Sequence, residues 1–153
     1  MRSSSLKPLG LVPAMAIAGL WTCLAFSAVQ ADAVAGKSLY ERVGGQPAMT
    51  AISSELVDQA TADPRTQRSW QKVELKRVKN LLTEYLCYTT GGPCAYSGDT
   101  MKEVHAGLKI NEAEMNAMVE MLRDIMVKRG IALRERNEVL AVLAPTKRDV
   151  VTQ

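Results

Sequence analysis

The chain holds one histidine, His105, within Met101-Lys102-Glu103-Val104-His105-Ala106-Gly107. A lone imidazole excludes a histidine-rich metal site and any histidine relay that needs a second ring. One neutral imidazole is still enough to hold a haem iron from one side. Two glycine pairs frame it. Gly44-Gly45 follows Leu39-Tyr40-Glu41-Arg42, and Gly91-Gly92 lies roughly four helical turns upstream of His105. Cys87 and Cys94 bracket Tyr88-Thr89-Thr90-Gly91-Gly92-Pro93. In an oxidising compartment such a pair reads as a disulfide. A thiolate metal site or a redox pair is the weaker reading, because there is no CxxC and no neighbouring histidine. The usual covalent c-type haem attachment is excluded for want of Cys-x-x-Cys-His.

The compartment is suggested by the first residues. Residues 1–31 carry Arg2 and Lys7, no acid, and an apolar run from about residue 9 to 29. Val29-Gln30-Ala31 then fits a small-x-small cleavage site before Asp32. This is the pattern of a cleaved secretory signal peptide. An uncleaved anchor is the competing reading, weakened by Gly10, Pro13, Gly19 and the alanine-rich end. Trp21 sits where a lipoprotein site at Cys23 would want a small residue. The expected organisation is a cleaved leader at 1–31 and one domain at 32–153, exported to the periplasm and free of the membrane.

Removing Arg2 and Lys7 lowers the formal charge from +3 to +1. A near-neutral body gives no electrostatic reason to expect nucleic acid as a partner. The short basic stripe of Lys76, Arg77 and Lys79 reads as a solvated helix face.

The elements that must position His105 read as helices. The single Phe, Phe26, falls in the leader, and no sustained alternating run of β-branched residues follows. Over 73–88 the apolar positions Val78, Leu81, Leu82, Tyr85, Leu86 and Tyr88 recur at helical steps. Over 111–129, Met115, Met118, Val119, Leu122, Ile125 and Met126 do the same. Asn111 with Glu114 reads as a capping box, and Gly130 as a stop. Pro47 opens a helix to about residue 60, Asp63-Pro64 starts a short turn toward Trp70, and a last helix covers 133–143 before Pro145. Gly91-Gly92-Pro93 breaks the long helix, and a short helix holding His105 follows Gly98-Asp99.

From Ser38 to Val151 this order resembles a group 1 truncated haemoglobin. The residues that carry the likeness are Leu39-Tyr40-Glu41-Arg42-Val43-Gly44-Gly45, Thr90-Gly91-Gly92-Pro93, Tyr96-Ser97-Gly98, Met101 to Gly107, and Leu143-Ala144-Pro145. The resemblance implies an all-α, two-on-two helical fold around haem b. It places the proximal iron ligand on His105, with the second ring nitrogen oriented by a backbone carbonyl or water. Met101, Leu108, Ile110, Met118, Val119 and Leu122 are then spaced to line one side of a flat apolar cofactor, and Tyr96 falls near its edge.

On the ligand side the chain departs from the family. The common distal tyrosine falls on Val57, two further positions that are often polar fall on Val78 and Leu82, and Trp70 stands where Phe is usual. An arginine often found near the propionates appears as Leu108, leaving Lys109 or Arg77 as substitutes. The implied function is reversible binding of oxygen, nitric oxide or carbon monoxide at a His105-ligated iron. The alternative is a haem-dependent nitric oxide dioxygenase or peroxidase-like enzyme, served by a redox partner. A helical binding module without haem is a third reading, against which His105 argues.

Overall fold

A computed structural model describes residues 36–153; the leader expected at 1–31 lies outside the described residues. The body opens with α1 (Leu39–Val43), started by a capping box. The Glu41 N–H donates to Ser38 Oγ at 3.2 Å and the Ser38 N–H donates to Glu41 Oε2 at 2.8 Å. Gly44 then takes φ +117°, a left-handed angle that turns the chain directly into α2 (Gly45–Ala62). This helix starts two residues ahead of Pro47. A proline is tolerated there because N–H groups in the first turn have no intrahelical acceptor. The stripe Met49, Ile52, Ser53, Leu56, Val57 and Ala60 is its buried face.

A 3-10 turn (Gln67–Trp70) leads to α3 (Leu75–Thr89), whose first turn is capped by the Glu74 carboxylate accepting from the Arg77 N–H at 2.9 Å. Tyr88 fits the apolar spacing of this helix but is 59% exposed, so its ring belongs to the outer face. The chain continues through α4 (Met101–Val104), α5 (Glu112–Lys128) and α6 (Leu133–Leu143). The Asn111–Glu114 capping box expected from the sequence starts α5, and Gly130 beyond its end has φ +71°. A further turn and helix follow α6, at Ala144–Thr146 and α7 (Lys147–Val150), which the sequence reading ended without. Pro145 falls in the first turn of that 3-10 segment, where its missing N–H costs nothing.

Helix α2 packs against α3 and α5, α5 against α6, and α1 against α2 and α6. Two helix pairs, α2/α3 and α5/α6, thus form the all-α two-on-two arrangement. Their shared core contains Met49, Ile52, Leu56, Leu86, Met121, Leu122, Ile125 and Met126. Each such side chain stabilises the fold by roughly 1.5–3 kcal/mol through burial. Arg42 fastens α1 to α6, donating to Glu135 at 3.2 Å and pairing with Glu138.

The segment between α3 and α4 has no regular structure and is tied down by side chains. Cys87 and Cys94 form a disulfide with Cα atoms 5.8 Å apart. Glu84 Oε2 accepts from the Ser97 N–H at 3.1 Å and the Ser97 hydroxyl at 2.7 Å. Gly92 allows the tight pass: a Cβ there would lie 2.6 Å from Cys87 Sγ and 2.7 Å from the Tyr40 ring.

Two outcomes follow from this tethering. The unfolded, unreduced protein should show no thiol from Cys87 or Cys94, and replacing both by Ser should lower unfolding free energy by about 2.5 kcal/mol in urea. Gly92→Ala should cost about 1–3 kcal/mol in the same titration, since the sulfur and the Tyr40 ring must both give way.

Candidate functional site

Between the two helix pairs lies a cavity of about 500 Å³, within the range of cofactor sites. Helix α3 supplies Val78, Leu81, Leu82, Tyr85 and Leu86 to its wall, and α5 supplies Met115, Met118, Val119 and Leu122. Met101, Val104 and His105 contribute from α4 and its C-cap, followed by Leu108 and Ile110. Trp70 enters from the 3-10 turn, and Leu140 and Leu143 from α6. Every residue expected to touch a cofactor, from Trp70 to Leu122, therefore stands on one wall system. For Val78, Leu82, Met118, Val119 and Leu122 the helical spacing carries this outcome, because three- and four-residue steps put them on the facing stripes of α3 and α5; the others reach the wall from the connecting segments and α4.

The ligand-side expectation for Val57 is corrected. Val57 is fully buried in the α2 stripe but does not line the cavity; its neighbour Leu56 does. The two are adjacent on one helix and point about 100° apart. The short, branched valine fills core space, while the longer leucine reaches the cavity. Val78 and Leu82 do line it.

His105 caps the end of α4 and is half-buried. Its Nδ1 lies 2.7 Å from the Met101 carbonyl oxygen. A carbonyl only accepts, so Nδ1 carries a proton, and whenever the ring is neutral its lone pair is the one on Nε2. Helix α4 is only four residues long, too short to persist alone. Thr100 starts it with a capping box, accepting from the Glu103 N–H at 3.2 Å while the Thr100 N–H donates to Glu103 Oε2 at 3.0 Å. At its far side it packs on α7. The C-terminal tail secures the next segment, with the Thr152 N–H donating to the Ile110 carbonyl at 3.0 Å.

The polar groups on the cavity wall are few. Tyr85 and Tyr96 meet edge to face with ring centroids 5.2 Å apart, and the Tyr96 hydroxyl donates to the Asp99 carbonyl at 2.8 Å. Burial raises the pKa of both phenols, so they are neutral donors at ordinary pH. Ser69 and Glu114 form a polar corner that sequence reasoning missed as part of the site. Glu114 had been legible as a helix cap, but nothing in its spacing indicates that its side chain also reaches inward. Burial opposes its charge, yet Arg68 and the Asn111 N–H hold its pKa below the usual carboxylate value. Ser69 Oγ and Glu114 Oε1 are both buried without a hydrogen-bond partner.

Lys147 was also missed. It lines the cavity and donates to Glu112 Oε2 at 3.0 Å. Neither of the two cations named from the sequence does: Arg77 borders a separate polar hollow that shares Leu81, and Lys109 is exposed.

The site fits haem on its own geometry. A mostly apolar cavity of cofactor size carries one imidazole whose Nδ1 is held by a backbone carbonyl, leaving Nε2 for a metal, the arrangement a haem iron takes from a proximal histidine. His105 would hold the iron, and Met101, Leu108, Ile110, Met118 and Leu122 would pack on the ring.

Comparison with known proteins agrees. A family model described as bacterial-like globin matches residues 38–152. A group 1 truncated hemoglobin from Tetrahymena pyriformis is 26% identical over 115 residues, 75% of this chain and 95% of that protein. The group 1 truncated hemoglobin GlbN of Synechocystis is 29% identical over 122 residues, 76% of this chain and 98% of its own. The crystal structure of the Tetrahymena pyriformis truncated hemoglobin in its Fe(III) form matches with a TM-score of 0.73 at 26% identity, covering 76% of this chain and all of that one (100%). The chain belongs to the bacterial-like globin family, as a truncated haemoglobin of group 1.

Proposed function

We propose that this protein is a haem b globin that reversibly binds oxygen or another diatomic ligand, with His105 as the iron's only protein imidazole. The observation that carries the reading is the His105 ring itself, placed on a mostly apolar cavity wall with Nδ1 committed to the Met101 carbonyl, which leaves Nε2 as the nitrogen available to an iron. Haem iron held from one side supplies an open coordination position for oxygen, nitric oxide or carbon monoxide.

The chain's own residues shape what that position favours. Leu56, Val78 and Leu82 exclude water and offer no hydrogen-bond donor. Trp70 and Tyr85 are donor-bearing side chains on the cavity wall, and Tyr85 is engaged edge-on with Tyr96. An apolar ligand side favours the less polar ligands and simple binding over acid–base chemistry, which ranks reversible binding above a nitric oxide dioxygenase or peroxidase-like activity. Turnover of nitric oxide with a reductant distinguishes the two. The leader-like residues 1–31 and the Cys87–Cys94 bond together support export to the periplasm, where disulfides persist.

Replacing His105 by Ala should abolish the Soret band of the purified protein or displace it, and external imidazole should partly restore it. An unchanged ferrous spectrum in that variant would overturn the assignment. The ligand side is read by oxygen dissociation in stopped flow. Leu82→Gln adds a donor worth about 1–1.5 kcal/mol and should slow release roughly tenfold. Slow release in the native protein, unaltered by this change, would mean that Trp70 or Tyr85 already donates.

A further inference from the structure

We infer that Arg68 is a positioning residue for His105, an inference that rests on the haem reading above. The chain between His105 and α5 turns through two left-handed residues, Gly107 at φ +77° and Lys109 at φ +50°. Lys109 has no glycine's freedom there, so the turn needs outside support. Arg68 reaches it from about 40 residues away, two positions before the cavity-lining Trp70. Its Nη1 donates to the Leu108 carbonyl at 3.0 Å, and its Nη2 to the Lys109 carbonyl at 2.7 Å and to Glu114 Oε2 at 2.5 Å.

Each partner is itself anchored. The Glu114 side chain is 7% exposed, and the same Oε2 accepts from the Asn111 N–H at 3.0 Å. The Leu108 N–H donates to the His105 carbonyl at 3.2 Å, so the guanidinium is one peptide unit from the turn that begins at the histidine. Two successive carbonyls and a carboxylate require a planar fork of donors. A lysine ammonium presents a single point and cannot span them in the same way. The clamp therefore sets where the His105 backbone stands relative to α5, while the Met101 carbonyl sets the ring. It also joins the Trp70 segment to the histidine turn, so the two walls hold a common register.

The test uses haem-loaded protein with Arg68→Gln, Arg68→Lys and, as a control, Arg65→Gln. Arg65 lies on the same segment but pairs with Asp63 and Glu120. Three quantities are read: amide hydrogen exchange at Leu108, the iron–histidine stretching band of the ferrous protein, and haem transfer to an excess of apomyoglobin. Arg68→Gln should speed exchange at Leu108, shift the band, and raise haem loss roughly tenfold. Arg68→Lys should restore these only in part, and Arg65→Gln should leave all three unchanged. Unaltered exchange and band in Arg68→Gln, or full rescue by Arg68→Lys, would overturn the clamp. A native protein with no iron–histidine band fails the haem reading itself, which is a different result from a native band that Arg68→Gln does not move.

Discussion

A carbonyl oxygen can accept a hydrogen bond but not donate one, and this asymmetry decides the chemistry of the site. With the Met101 carbonyl 2.7 Å from Nδ1, a neutral His105 ring has one place for its proton, and the lone pair is left on Nε2. The bond runs from residue 105, the C-cap, back to residue 101 at the start of α4, so ring orientation depends on α4 holding its turn. Four residues cannot do this by propensity. The Thr100–Glu103 box, the packing of α7 and the Ile110–Val151 bridge supply what helix length does not.

The same economy runs through the rest of the fold. Short connections replace long helices, and each is fastened by a specific tie. The disulfide and the Glu84–Ser97 contacts hold the segment before α4 against α3. Arg68 and Glu114 hold the segment after it, and Arg42 binds α1 to α6 through Glu135 and Glu138. These ties are largely side chain to backbone or side chain to side chain. They leave the interior between α3 and α5 free to be shaped by apolar residues.

The cavity wall and the core are continuous. Leu56, Leu86 and Leu122 belong to both, so a change that enlarges the site also thins the core. Against this background the Ser69–Glu114 corner is the exception. A buried carboxylate without its counter-charge would be expelled or protonated; Arg68 lets it remain ionised while one oxygen stays without a partner.

Much of this was readable along the chain, because helix period and cap chemistry are local. The spacing of Val78, Leu82, Met118 and Leu122 assigns them to one face of each helix, and Asn111 with Glu114 marks a helix start whatever lies nearby. The single histidine left no competitor for an imidazole role. Other features depend on distance in space. Whether Leu56 or Val57 reaches the cavity turns on a rotation of about 100° and the width of the gap to α3, neither of which is encoded in α2 alone. Tyr88 keeps the apolar period yet faces outward, because periodicity gives a stripe and not its edges. Lys147 joins the cavity only through the fold-back of α7, and Arg68 meets the Leu108 and Lys109 carbonyls only when the 3-10 turn is packed beside them. Contacts between residues far apart in sequence have no local signature, so the sequence by itself determined the helices and their faces, and tertiary packing decided which side chains share the site.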